Sequence, residues 1–256
     1  MASSPDLTTA LSAADAADAV TLPRFRDPDL AVSTKADATV VTEADRRAEQ
    51  VIREVIGHEA PNDAILGEEY GFDGGGSRRW IIDPIDATVN FVRGVPVWGT
   101  LIALEIDGVV TCGVVSAPAL GMRWWANRGD GAWCNDRQIS VSEVTDLGEA
   151  QLSLNSLDGL PPARLDAALA LSGQCSRTRG FGDFWAFMLL AEGGVDIVIE
   201  PVAAVWDLAP LTVIVEEAGG RFTSLDGNPG IDHGHALATN GHLHSAALAA
   251  LASAEN

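Results

Sequence analysis

Residues 6–26 are rich in alanine and read as a helix, and the pattern then turns extended over 28–41. Thr42-Glu43-Ala44-Asp45 opens a second helix, with Val51, Ile52, Val55 and Ile56 recurring on one face. Apolar runs bounded by turn residues predict strands near 64–67, 79–83, 97–106 and 109–117. Shorter ones near 122–126 and 131–134 complete an antiparallel-looking region, and Gly74-Gly75-Gly76 reads as a mobile surface loop. After about residue 145 the pattern becomes strand–helix alternation: strand 151–155, helix 162–172, strand 177–180, helix 183–193, strand 195–199, helix 206–218, strand 236–239, helix 242–253. Such alternation predicts an α/β layer. The chain therefore divides into an N-terminal α+β half, 1–145, and a C-terminal α/β half, 146–256, with no repeat and no low-complexity linker.

The chemistry concentrates in one stretch, Trp80 to Phe91. Trp80-Ile81-Ile82 reads as a buried strand that Pro84 ends, and Asp86-Ala87-Thr88 reads as the start of a helix. A buried strand delivers its end residues to a fixed place. Asp83 and Asp86 there are poor core residues and good hard-cation ligands, and the free N–H groups of a new helix beside them favour an anion. Asp86 also reads as a plain N-cap. Glu68 and Glu69 end another short apolar run, and Asp207 heads an apolar helix, where it equally complements the helix dipole. If Glu68, Asp83, Asp86 and Asp207 converge, they cannot all stay ionised without cations. Oxygen ligands without a Cys/His cluster point to Mg²⁺ or Mn²⁺ rather than zinc.

These residues resemble the inositol monophosphatase superfamily of Mg²⁺-dependent phosphomonoesterases. Trp80 to Phe91 is similar to its first signature, and Trp206-Asp207-Leu208-Ala209 through Glu217-Ala218-Gly219-Gly220 to its second. Gly67-Glu68-Glu69 matches its upstream motif, and Lys35, Asp37, Val41-Thr42 and Asp45 match its N-terminal pattern. Within the superfamily the chain most resembles the actinobacterial histidinol-phosphate phosphatases, in Phe91 to Trp98, Ser116 to Leu120, Arg123 to Ala126, and Gly182-Asp183-Phe184 ahead of Ala191-Glu192-Gly193. Three positions depart from the pattern. Ala87 stands where the family usually has Gly, Val89 where the subgroup usually has Lys, and Pro210 where a small residue is usual. Pro210 is expected near the start of its helix, where a missing N–H costs little.

The resemblance implies a layered αβαβα sandwich, with the active site between the halves. It implies Glu68, Asp83, Asp86, Asp207 and the Ile85 carbonyl as ligands for two or three Mg²⁺, most of them in the first half and Asp207 in the second. It further implies Ala87 and Thr88 N–H groups on the phosphate, Glu68 among the catalytic groups, and a metal-activated water as nucleophile, oriented by the Thr88 hydroxyl with Asp45 as its partner. Asp45 also reads as a helix cap, since Thr42-x-x-Asp45 is close to a capping box. Lys35 is a candidate active-site cation or a solvated lysine. Asp183 and Glu200 fall at substrate positions of the family; their plain readings are an N-cap and a strand end. The implied substrate is L-histidinol phosphate, in histidine biosynthesis. Inositol 1-phosphate is the alternative, and a catalytically weakened binding paralogue a third reading.

Composition narrows the partners. The 256 residues allow one large core or two fused subdomains. A net charge of −20 speaks against nucleic acid and repels anionic substrates at long range, so a phosphatase of this charge needs bound cations. No apolar run is long enough to span a membrane. Met1-Ala2-Ser3-Ser4-Pro5 lacks the basic and apolar parts of an export signal, so cytoplasmic residence is expected. Cys112, Cys134 and Cys175 are scattered and odd in number, which suits reduced thiols. The His233/His235 pair, in a Gly-rich loop, and the His242/His244 pair, opening a helix where residues two apart do not share a face, are not expected to bind metal. Trp98, Trp124, Trp125 and Trp133 read as core or dimer-face aromatics. Family habit implies a homodimer.

Overall fold

Ser4 caps the first helix, α1 (Pro5–Thr21), by accepting the Leu7 N–H at 3.1 Å, with Pro5 in the first turn where no N–H is needed. The helix gives way at Thr21 to a single 3₁₀ turn, Leu22–Arg24, because Pro23 cannot continue it, so the expected helix 6–26 is shorter. A computed structural model describes residues 4–36 and 38–252; Asp37 lies outside them. The extended segment is a hairpin, β1 (Val32–Thr34) and β2 (Val40–Thr42), and Thr42 caps α2 (Glu43–Glu59). Ala10, Ala13, Ala14 and Ala17 form one wholly buried stripe on α1, small enough for α2 to lie close against it.

The chain continues through β3 (Ala64–Gly67), β4 (Gly71–Asp73), β5 (Arg78–Asp86), α3 (Thr88–Val92), β6 (Gly99–Ile106), β7 (Val109–Ala117), β8 (Met122–Asn127), β9 (Ala132–Cys134) and β10 (Arg137–Ile139). These strands form one eight-stranded sheet, ordered β10-β9-β8-β7-β6-β5-β3-β4, antiparallel except for the β3–β5 pair. The remaining elements are β11 (Gln151–Leu154), α4 (Pro162–Ser172), β12 (Arg177–Arg179), α5 (Asp183–Ala191), β13 (Ile197–Glu200), α6 (Val205–Glu217), β14 (Arg221–Thr223), β15 (Ala236–Thr239) and α7 (His244–Ala252). They build a five-stranded sheet ordered β12-β11-β13-β15-β14.

Side chains on a strand alternate between faces, and both faces of the large sheet are covered. Trp80 and Ile82 pack with Ile52 and Ile56 of α2 and with α1, while Ile81 joins Phe184 and Phe187 of α5 and Leu208 and Leu211 of α6 on the opposite face. That is why the β5 run is apolar without alternation. Val198 and Ala238 of the small sheet join the same central cluster, and Leu152 and Ile197 face away from it toward Leu171 of α4 and Leu251 of α7. The layers thus run α1/α2, large sheet, α5/α6, small sheet, α4/α7: the αβαβα order expected.

Helix α6, buried from Leu208 to Val215, is apolar all round because sheets lie on both sides. It approaches β7 at Gly113, where a Cβ would come within 2.6 Å of Val213 Cγ1 and 2.9 Å of the Pro210 carbonyl oxygen. Pro210 is not near the helix start as expected. It sits inside α6, well past the Ala204 cap, where it removes an intrahelical hydrogen bond. Strands β4, β10 and β14 were not expected; each has three residues, too short to show a period. Gly74-Gly75-Gly76 forms the exposed connection from β4 to β5. Trp98 and Trp124 are buried, and Trp125 stacks on Trp133 with centroids 5.4 Å apart.

Candidate active site

Strand β5 does not end at Pro84. It runs on to Asp86, and its pairing with β6 shifts register between Asp83, opposite Leu101, and Asp86, opposite Gly99. The irregularity accommodates a residue without an N–H and turns the strand end. The Pro84 carbonyl is held by the Thr100 hydroxyl at 2.8 Å. Each nearby carboxylate is then fixed by a backbone amide. Asp83 accepts the Ile85 N–H at 3.0 Å, Asp86 accepts the Phe184 N–H from α5 at 2.9 Å, and Asp207 accepts the Ala204 N–H at 2.7 Å.

One carboxylate oxygen from each of Asp83, Asp86 and Asp207 lies within 4.8 Å of the others. They line a cavity of about 370 Å³ together with Glu68, Ile85, Ala87, Thr88 and Lys35. Glu68 extends the β3–β5 pairing through its N–H to the Ile82 carbonyl at 3.2 Å, and its Oε1 meets Lys35 Nζ at 2.7 Å. Burial, followed by repulsion from Glu68, Asp86 and Asp207, pushes the Asp83 carboxyl far above the usual carboxylate range. Asp86 is raised in the same way by burial and by Asp183 and Asp207. Asp207 is pushed up to about 6, chiefly by burial. Such a group is costly to ionise unless cations neutralise it. Among the described residues lining the cavity none is Cys or His, so the donor set fits Mg²⁺ or Mn²⁺. Larger hollows, about 560 Å³ beside Arg123 and about 690 Å³ beside Tyr70, lack this convergence; the lining, not the volume, marks the site.

Both readings of Asp45 hold at once in the geometry. One oxygen accepts the Thr42 N–H at 2.8 Å and the Thr42 hydroxyl at 2.6 Å, closing a capping box, while the other accepts the Thr88 hydroxyl at 3.1 Å. The Ile85 carbonyl lies 3.0 Å from the same hydroxyl. Burial raises the Asp45 pKa, and its bonds with Thr42 and Thr88 oppose the rise. Ala87 adopts the left-handed conformation, φ 63°, just before α3, and both Ala87 and Thr88 line the cavity. Lys35, on the hairpin after β1, also meets Glu69 at 2.5 Å. Burial opposes its charge, but the two glutamates outweigh this and raise its pKa.

Asp183 and Glu200 lie on a second, smaller cavity of about 70 Å³ that shares Asp86 and Asp207 with the first. Asp183 holds φ 46° at the start of α5, and Asn90 Nδ2 donates to it at 3.3 Å. Glu200 ends β13, and burial pushes it up to about 7 against the opposing bond from Asn155. Every expected site residue except Asp45 therefore lines one of two cavities that share Asp86 and Asp207, and Asp45 reaches the first through Thr88. The histidine pairs stand apart. His244 is fully buried between the Thr223 and Thr239 hydroxyls, and burial pushes it down to about 4.

Three supporting residues were not among the expected site residues. Glu49, wholly buried on α2, accepts the Glu69 N–H at 2.6 Å and the Tyr70 N–H at 3.2 Å, fixing the loop that carries Glu68. Gly67 makes room for it, since a Cβ there would lie 1.9 Å from Glu49 Oε1. The available signal was a glutamate on the apolar Ile52–Ile56 face of the helix. Glu69 shares Lys35, as the paired glutamates hinted. Asn155, just past β11, gave no signal.

A layered α/β fold with carboxylates from two strand ends and one helix start meeting in a cavity defines a metal-dependent site of the phosphatase type. The match to the inositol monophosphatase family model spans residues 3–256, and the chain belongs to that family. It is 50% identical to a histidinol-phosphatase of Mycobacterium tuberculosis over 96% of this chain and 97% of that one. It is 49% identical to a histidinol-phosphatase of Streptomyces coelicolor over 95% of each. The structure of the extragenic suppressor protein suhB from Bartonella henselae, 30% identical, superposes with a TM-score of 0.89 over 98% of this chain and 99% of that one.

Proposed function

We propose that this chain hydrolyses L-histidinol phosphate to L-histidinol and inorganic phosphate, with Mg²⁺ held by Asp83, Asp86, Asp207, Glu68 and the Ile85 carbonyl. The observation that carries the reading is the shared wall of the two cavities: Asp86 and Asp207 line both, so the carboxylates that would hold the cations also border the Asp183/Glu200 side. Two relatives of about half-identical sequence, each named histidinol-phosphatase, support the substrate. When bound, the cations neutralise the phosphoryl charge and supply a nucleophilic water at neutral pH.

The chain's own groups bind and orient. The Ala87 and Thr88 amides, on the cavity wall, take phosphoryl oxygens. The Thr88 hydroxyl gives its proton to the Asp45 hydrogen bond, which turns its lone pairs toward the water. Among the described residues lining the larger cavity Lys35 alone is basic, and it is paired with Glu68 and Glu69, so attraction for an anion must come from the bound cations. Asp183 and Glu200 present carboxylates to the ammonium and imidazole of the leaving group. The proposal includes a cytoplasmic homodimer; the three cysteines are unpaired, in keeping with a reducing compartment, and no helix among the described residues is long and apolar enough to cross a membrane.

The test is phosphate release from L-histidinol phosphate and inositol 1-phosphate side by side, with Mg²⁺ and with chelator. Chelator-sensitive release favouring histidinol phosphate is expected. Preference for inositol phosphate would move the substrate while keeping the site. No release from either would favour a weakened binding paralogue.

A further inference from the structure

We infer that Asn155 is a positioning residue for substrate selection: its side-chain amide fixes the Glu200 carboxylate so that the remaining acceptor sites of Glu200 face the leaving group. The inference rests on the proposed phosphatase reading and adds a residue to it.

The argument starts from strand register. β11 and β13 are parallel, with Leu154 opposite Ile199, and the Asn155 N–H continues the ladder to the Ile199 carbonyl at 3.1 Å. Asn155 and Glu200 therefore stand side by side where the two strands end, at the carboxyl edge of the sheet, a usual place for ligands in α/β layers.

The amide has one orientation that satisfies its neighbours. The Phe181 N–H donates to Ser153 Oγ at 3.3 Å, so the buried Ser153 hydroxyl is free to donate to Asn155 Oδ1, at 2.9 Å. That leaves both Nδ2 hydrogens for acceptors: Glu200 Oε2 at 2.7 Å and the Asp183 carbonyl at 3.3 Å. A flipped amide would set its oxygen against both acceptors. The Glu200 contact is the shorter one and is charge-assisted. The Val202 backbone gives Glu200 a second hydrogen bond. A carboxylate accepts about four, so acceptor capacity remains for the small cavity that Glu200 lines beside Asp183 and Asp86. The same amide also braces the Asp183 backbone, which is held at a positive φ.

The test is a double-mutant cycle on Asn155 and Glu200, measured as KM and kcat for L-histidinol phosphate and for inositol 1-phosphate. Asn155→Ala is expected to raise KM about tenfold, the worth of one charge-assisted hydrogen bond, with a much smaller fall in kcat. In a Glu200→Ala background it should change KM less than about threefold, because the group it positions is gone. Asn155→Asp, of the same shape but unable to donate, should raise KM at least as much; it decides the matter if the alanine variant fails to fold. Independent, multiplying effects of the two substitutions would overturn the inference, as would a fall in kcat at constant KM. If only inositol 1-phosphate is hydrolysed, the substrate proposal fails while the cycle on that substrate still decides the role of Asn155. Hydrolysis of neither overturns both.

Discussion

Asp45 and Thr88, 43 positions apart, meet through a hydrogen bond of 3.1 Å from hydroxyl to carboxylate, while the other oxygen of Asp45 caps helix α2. One carboxylate thereby ties the helix start to the wall of the metal cavity. The two duties separate in Asp45→Asn. Its carbonyl oxygen can keep the cap, but its NH₂ then faces Thr88 and reverses that hydrogen bond. The expected result is a loss in kcat of about 100-fold, at the low end of what proton-handling groups contribute, with a melting temperature close to wild type. Asp45→Ala should lose the cap as well, at about 1 kcal/mol. Normal turnover in the asparagine variant would remove Asp45 from the reaction.

Ala87 holds φ 63°, a conformation that costs a residue with a Cβ roughly 1–2 kcal/mol. Ala87→Gly relieves that strain and adds some unfolded-state entropy, for a net gain of about 0.5–1 kcal/mol. The melting temperature should rise by about 1–4 °C, and turnover should hold or increase. A fall in stability would mean that the methyl contributes packing that outweighs the strain.

Gly67→Ala should do the opposite. Its Cβ would lie 1.9 Å from the buried Glu49 carboxylate, which cannot swing away without releasing the Glu69 and Tyr70 amides. A destabilisation of about 1–3 kcal/mol is expected from overpacking, together with weaker Mg²⁺ binding as Glu68 shifts. Thermal melts with and without Mg²⁺ check both; an unchanged Mg²⁺ response would separate the Glu49 contact from the metal site.

The acidic cluster makes stability depend on pH in a defined direction. Burial and then mutual repulsion raise Asp83 and Asp86, and burial takes Asp207 to about 6. An unfolded aspartate titrates near 3.9, so the metal-free fold binds more protons than the unfolded chain from about pH 4 up to at least about 6. Its stability accordingly falls as pH rises through that window. Mg²⁺ binds the deprotonated form of the fold, so its stabilising effect should grow with pH. The melting shift caused by saturating Mg²⁺ should be larger at pH 8 than at pH 5.5. Equal shifts would show that the carboxylates are already ionised without metal.

Much of this was legible in the sequence because burial leaves a period and chemistry leaves motifs. The β5 run, helix α2 and the strand–helix alternation of the second half were all readable, and so was the set of acidic residues at element ends. What stayed hidden depends on three dimensions. Pro84 looked like a strand terminator, yet the sheet absorbs it in an irregularity beside Asp83. Pro210 looked like a helix-start residue, yet it lies inside α6, which begins at Val205 and packs its backbone there close against Gly113 of β7. Glu49 looked like one more charge on a helix; its burial follows from Gly67, a contact between distant elements. Asn155 became visible only through the register of β11 against β13.

The central claim is that Asp83, Asp86 and Asp207 form a divalent-cation site. Calorimetric titration of the metal-free protein with Mg²⁺, set beside the Asp86→Asn variant, tests it most directly. Saturable binding in the wild type, weakened at least about tenfold in the variant with an unchanged circular dichroism spectrum, is the predicted result. Equal binding in both proteins, or none in the wild type, would contradict it.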